Sequence, residues 1–275
     1  MRFTGVLLLL LASACSASAP ADCNALNSEQ RAALKAWVGG VYAGGGGIDG
    51  ESVESQRKKI VGYGSEILPC LLALYRQGPA AVGMWERNEA APANAHWALH
   101  LIQAIDRDRA VGLYREWRAE PGTDDMTRTE IDVSLGRLGD HDALGDLARF
   151  LEAAPIVGAD PRRLRNARED AVVVVAEQNY TRALAGLKRV AAQENPPSNF
   201  WSLTVPVYVA QLSEDVPALA RYARDPTCAI PALEALKRIG RNDLLRSLAA
   251  DMDYRFQGAA KALLEQQSGT GKSER

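Results

Sequence analysis

Residues 138–151 read LGDHDALGDLARFL. Leu138 and Gly139 end one apolar pattern, and Asp140 supplies a side-chain oxygen at the position of a helix N-cap. Leu144, Leu147, Ala148 and Leu151 then return at i, i+3, i+4 spacing, the signature of a helix with one buried face. The stretch therefore predicts two helices joined by a two- to four-residue polar turn. The same arrangement recurs as YGSEILPCLLALY (63–75), AIDRDRAVGLYREW (104–117), EQNYTRALAGLKRV (177–190), QLSEDVPALARYA (211–223) and IGRNDLLRSLA (239–249). Anchored on Ile105, Leu138, Ala176, Leu212 and Ile239, successive spacings are 33, 38, 36 and 27 residues. Repetition at this period predicts stacked supersecondary units, with Asp106, Asp140 and Ser213 capping the second helix of their pairs.

Other start and stop signals agree with an all-α chain of thirteen or fourteen helices. Asn27 followed by Gln30 predicts a reciprocal cap ahead of Leu34, Trp37 and Val38. Asp160-Pro161 and Asp225-Pro226 each offer a cap followed by proline at the first helical position. Ser198 is a further candidate cap. Gly78, Gly122, Gly158 and Gly240 stand where helical patterns run out. Val172 to Val175 would suit a strand by propensity, yet the run lies in an uninterrupted stretch from Asp160 to Glu177, which predicts a buried helix face. Aromatic residues make up 6% of the chain, and the abundance of alanine favours close-packed helices.

These segments resemble the HEAT-repeat family over about residues 60–265, on the turns between paired helices, their period, and Pro206 within a first helix. The resemblance implies an α-α superhelix, a solenoid whose second helices line a concave face. Helix pairs of this kind cannot bury their apolar faces alone and must stack. Residues 22–50, one helix followed by Gly44–Gly47, read as an N-terminal cap and linker, 51–266 as the repeat domain, and 267–275 as a disordered tail. Residues 77–92, with Trp85, form the longest internal connection.

The first residues, MRFTGVLLLLLASACSASAPADC, have one basic residue, Arg2, an apolar run from Val6 to Ala12, and small residues after it. This is the layout of a secretory signal peptide. Two processing routes are open: signal-peptidase cleavage within 1–21, or a lipoprotein leader 1–14 with Cys15 lipidated. Export to a periplasm is the expectation, with membrane contact only through such an anchor. In an exported chain a disulfide is permissible; Cys23–Cys70 is the expected pair, with Cys228 left over, and the competing reading makes Cys70 a buried small hydrophobe.

The net charge of −2 lacks the basic surplus of a nucleic-acid binder. His96 and His100, at i, i+4 in HWALH, could present two imidazoles to a metal, but Trp97 stands where a zinc protease carries glutamate. Asp106, Asp108 and His141 are the candidates for a third ligand. Gly44–Gly47 lacks the Gly-Lys-Ser/Thr of a phosphate loop. Asp124, Asp125, Glu130 and Asp132 read as caps or a solvated face, and Asn179 as a helix cap. No catalytic set and no cofactor are implied. Arg115, Arg149, Arg189 and Arg221 recur on second helices, with Trp117 and Tyr222 nearby, and would form a ladder suited to a protein partner; as aliphatic stems over the core they would serve packing alone. The expected function, carried by the family resemblance, is a non-enzymatic envelope scaffold for a protein or peptide partner. An immunity or inhibitor protein against an exported toxin, and a metal-dependent hydrolase built on His96 and His100, are the alternatives.

Overall fold

The computed structural model describes residues 23–42, 53–78, 98–153, 160–193 and 200–270. Among these residues there are fourteen α-helices and no strand. The leader with Cys15, Gly44–Gly47, Trp85, His96, Gly158 and Ser198 lie outside the described residues. The chain divides into two compact units, Met1–Ala110 and Val111–Arg275. The division falls inside a helix, α5.

In the first unit, α1 (Ser28–Tyr42) packs on α2 (Val53–Gly62), and α4 (Leu99–Ile105) lies against α2 and α3 (Leu68–Gln77). The α1 start is the reciprocal cap expected from sequence: the Gln30 amide donates to Asn27 Oδ1 at 2.9 Å and the Asn27 amide to Gln30 Oε1 at 3.1 Å. Leu34, Val38, Ile60, Ile67, Leu71, Leu74, Leu99 and Ile102 are wholly buried. A disulfide between Cys23 and Cys70, with Cα atoms 4.8 Å apart, ties the short helical turn ahead of α1 to α3. Closing a loop of 47 residues removes unfolded-state entropy worth about 4 kcal/mol.

The second unit continues α5 (Arg107–Ala119) and carries four helix pairs: α6 (Asp125–Arg137) with α7 (His141–Glu152), α8 (Pro161–Glu177) with α9 (Leu184–Gln193), α10 (Val205–Leu212) with α11 (Val216–Tyr222), and α12 (Ala229–Arg238) with α13 (Asn242–Ala250). The last helix is α14 (Gln257–Thr270). One turn geometry joins all four pairs. The first helix ends on a residue in the left-handed region: Gly139 (φ 78°), Asn179 (φ 49°), Glu214 (φ 53°) and Gly240 (φ 75°). The amide of the next residue then donates back to the carbonyl five positions earlier, Asp140 to Leu135, Tyr180 to Val175, Asp215 to Ala210 and Arg241 to Leu236, at 2.8–3.0 Å. The left-handed residues themselves donate to the carbonyls three positions back. Both bonds together are the Schellman arrangement, which satisfies carbonyls that a helix end would otherwise leave bare.

Successive first helices touch: α6 meets α8, α8 meets α10, and α10 meets α12. The Val172–Val175 run is the floor of this stack, with Val172, Val174 and Val175 wholly buried in α8. Close approach between layers needs glycine. A Cβ on Gly136 of α6 would stand 2.7 Å from Val174, and one on Gly186 of α9 would stand 2.8 Å from the Leu151 Cβ and 3.2 Å from the Ala148 carbonyl of α7. Buried Gln211 of α10 donates to the Ala176 carbonyl at 2.7 Å, so one pair grips the end of the pair before it.

Several local expectations change. Asp225 does not cap a helix: it accepts from the Thr227 amide inside a turn, and α12 starts only after Cys228. Ser213 ends α10, its hydroxyl donating to the Val209 carbonyl, because the chain needs two more residues to reverse; Asp215 is the cap of α11.

Three outcomes follow for stability. Reduction of the wild-type chain should lower its unfolding free energy by about 2–4 kcal/mol, while Cys23→Ser/Cys70→Ser should be indifferent to reductant; equal urea curves with and without reductant would refute the bridge. No heavy atom lies within 4 Å of a Cβ on Gly240, so Gly240→Ala tests backbone conformation alone and should cost about 1–2 kcal/mol. Glu214→Gly, relieving the same conformation, should leave stability unchanged or raise it by up to about 1 kcal/mol.

Candidate functional site

Polar chemistry in the second unit gathers at three places. The first is a charged junction of α5, α6 and α7. Arg115 donates from Nε and Nη2 to Asp140 Oδ2 at 3.0 and 2.6 Å. Asp140 Oδ1 meanwhile accepts the Asp142 and Ala143 amides that open α7. One turn further along α5, Arg118 Nε stands 2.6 Å from Asp132 Oδ1. That contact is off the hydrogen-bond axis and acts through charge; the aligned bond runs from Nη2 to Oδ2 at 3.4 Å. Arg118 also donates to Asp146, whose other oxygen accepts from Arg149.

The electrostatics of this junction follow from burial. Desolvation is the largest influence on Asp132; it outweighs the Arg118 pairing and, helped by the Asp146 and Asp140 charges, raises the carboxyl from 3.8 to about 6. Burial also pushes Asp140 upward, but the Ala143 amide and Arg115 overcome it and hold that carboxyl below its usual value. Asp132 thus corrects the expectation of a cap or solvated face, since its side chain is 7% exposed. The other three carboxylates behave as ordinary surface groups: Asp124 caps α6, Asp125 pairs with Arg128, and Glu130 with Arg163.

The second place is a cleft of about 310 Å³ between α6 and α8, lined by Glu130, Arg137, Arg163 and Asp170. Its charges are matched within the protein: Arg163 holds Glu130 at 2.7 Å and Arg137 holds Asp170 at 2.9 Å. The third is a larger groove of about 570 Å³ among α9, α10 and α11, whose lining includes Ala191, Val209, Ala218, Lys188, Asp215 and Arg221.

The four arginines read as a ladder occupy different settings. Arg115 and Arg149 are bound into the α5–α7 junction. Arg189 donates to the Glu152 carbonyl, capping the C-terminal end of α7. Arg221 lies 5.4 Å from the Tyr222 ring centroid, at the groove. At the junction Arg149 meets Arg118 on Asp146 while Arg115 pairs separately with Asp140, and Arg221 is the one of the four that lines the larger groove. Arg118 and Asp146 escaped the sequence reading, and the pairing of Asp132 did too, because a contact between separate helices leaves no local spacing signal. Lys188 escaped as well, although the acid-free sequence of α9 was the available clue.

His100 is exposed on α4, and Asp106 caps α5 by accepting the Arg109 amide at 2.9 Å. His141 is exposed at the start of α7, its ring centroid 6.5 Å from that of Tyr180. Among the described residues no three His, Cys, Asp or Glu side chains are grouped as metal ligands would be. No described helix is long and apolar enough to cross a membrane. The chain matches no family model, no curated protein and no solved structure.

The Asp132 shift gives a pH dependence with a definite sign. The folded state holds the proton more tightly than the unfolded one, so stability falls as pH rises from about 3.8 to about 6, by at most about 3 kcal/mol. The lowered carboxylates lose their contribution only below this window, so they do not mask it. Asp132→Asn should flatten the decline and be at least as stable as wild type at pH 7. Parallel urea titrations of the two chains between pH 4 and 7 measure this, and identical slopes would disprove the shift.

Proposed function

We propose that this chain is a non-enzymatic interaction scaffold of a bacterial cell envelope, a HEAT-like α-solenoid that holds a protein or peptide partner along its second helices. The observation that carries the reading is the fourfold recurrence of one Schellman turn between paired helices. Such a stack exposes a long surface built from repeated helices, suited to extended contact with another chain. Export is supported by the leader layout and by the Cys23–Cys70 bridge, which is at home in an oxidising compartment. Arg149, Arg189 and Arg221 all stand on second helices, α7, α9 and α11, where an arginine and aromatic surface favours protein contact.

The test is affinity capture from envelope extracts with the tagged mature chain, against a tag-only control. A single envelope protein retained in near-equimolar amount is the expected result, with capture reduced by Arg149→Glu in a variant whose circular dichroism is unchanged. Retention of nothing above the control, or undiminished capture by the variant paired with Arg189→Glu, would count against the reading.

A further inference from the structure

The two grooves of the second unit differ in how their charges are balanced. In the α6–α8 cleft each arginine faces a carboxylate of the same protein, so the wall is electrically closed. The α9–α11 groove is not. Its three helices carry Lys188, Arg189 and Arg221 and no aspartate or glutamate at all. Arg189 is committed to the end of α7, which leaves Lys188 and Arg221. Both are exposed, and neither has an ion-pair partner among the described residues. Asp215, the one acid of the lining, is held by the Ala218 amide at 3.0 Å as the cap of α11, which leaves two cationic side chains against one carboxylate. A chain of net charge −2 therefore keeps a locally cationic trough.

The shape of the trough narrows the occupant further. Its lining combines the apolar side chains of Ala191, Pro206, Val209 and Ala218 with the cationic ones of Lys188 and Arg221, so one groove offers both apolar surface and positive charge. An extended peptide with small apolar side chains alternating with carboxylates meets both requirements, because successive residues of an extended chain point to opposite sides. From this charge complementarity we infer that the α9–α11 groove is the docking site for an acidic, extended peptide segment of the partner, with Lys188 and Arg221 receiving its carboxylates. This assignment rests on the scaffold reading above and names the part of the surface that does the binding.

A short fluorescein-labelled peptide alternating glutamate with alanine and valine tests it by fluorescence anisotropy against the full mature chain. Binding is expected for this peptide and not for its glutamine counterpart, and it should weaken steeply as salt rises from about 0.05 M to about 0.5 M. Lys188→Glu/Arg221→Glu should reduce affinity at least about tenfold, and each single reversal should weaken it, while Arg246→Glu, the same single charge reversal placed on α13, should not. Equal binding of the glutamine peptide, or indifference to the double variant, would overturn the assignment. So would binding of anionic phospholipid vesicles that displaces the peptide and depends on the same two residues. Self-association on sizing that the double variant abolishes would overturn it in favour of a second copy. An envelope partner captured by wild type and double variant alike would remove the groove and leave the scaffold standing; capture failing altogether would remove the scaffold.

Discussion

The second unit depends on one hydrogen bond made four times, the amide of residue 140, 180, 215 or 241 reaching back to the carbonyl five positions before it. That bond closes only if the intervening residue turns left-handed. Once it does, the chain leaves the first helix already aimed to run back against it. The second helix then starts two residues after the left-handed position at α7, α11 and α13, and after the short helical turn Thr181–Ala183 at α9, and its apolar stripe meets the first helix. Everything downstream, the buried valines of α8, the glycine contacts at 136 and 186, and the grip of Gln211 on Ala176, presupposes that reversal.

Where local chemistry was strong, the sequence was readable. The Asn27–Gln30 box, the Asp160-Pro161 start and the Asp140 cap each satisfy helix amides from within a few residues, so spacing reveals them. The valine run in α8 was readable for another reason: uninterrupted length outweighs β propensity when both ends are capped. Glu214 was not readable, since glutamate has no preference for the left-handed region and takes it only because the neighbouring bonds require it. Asp225-Pro226 misled because an aspartate serves a tight turn by the same amide bond that it offers a helix.

The candidate site was less legible than the fold. Four arginines could be named as a set from their places on second helices, but their partners could not. Asp140 engages Arg115 across 25 residues, and Glu152 receives Arg189 across 37. Such pairings are properties of stacking, and no window along the chain contains both members. Asp132 illustrates the same limit: its burial beside Arg118 is decided by how α5 crosses α6, and that burial is the largest influence on its proton affinity.

The four turns are equal in bonding and unequal in residue. Two have glycine in the left-handed position, one has asparagine, which tolerates it, and one has glutamate, which does not. A stack held by identical clasps therefore has a built-in soft point at the α10–α11 reversal, beside the cationic groove. The least tolerant of the four left-handed positions therefore stands on the turn that leads into the wall of the groove carrying Lys188 and Arg221.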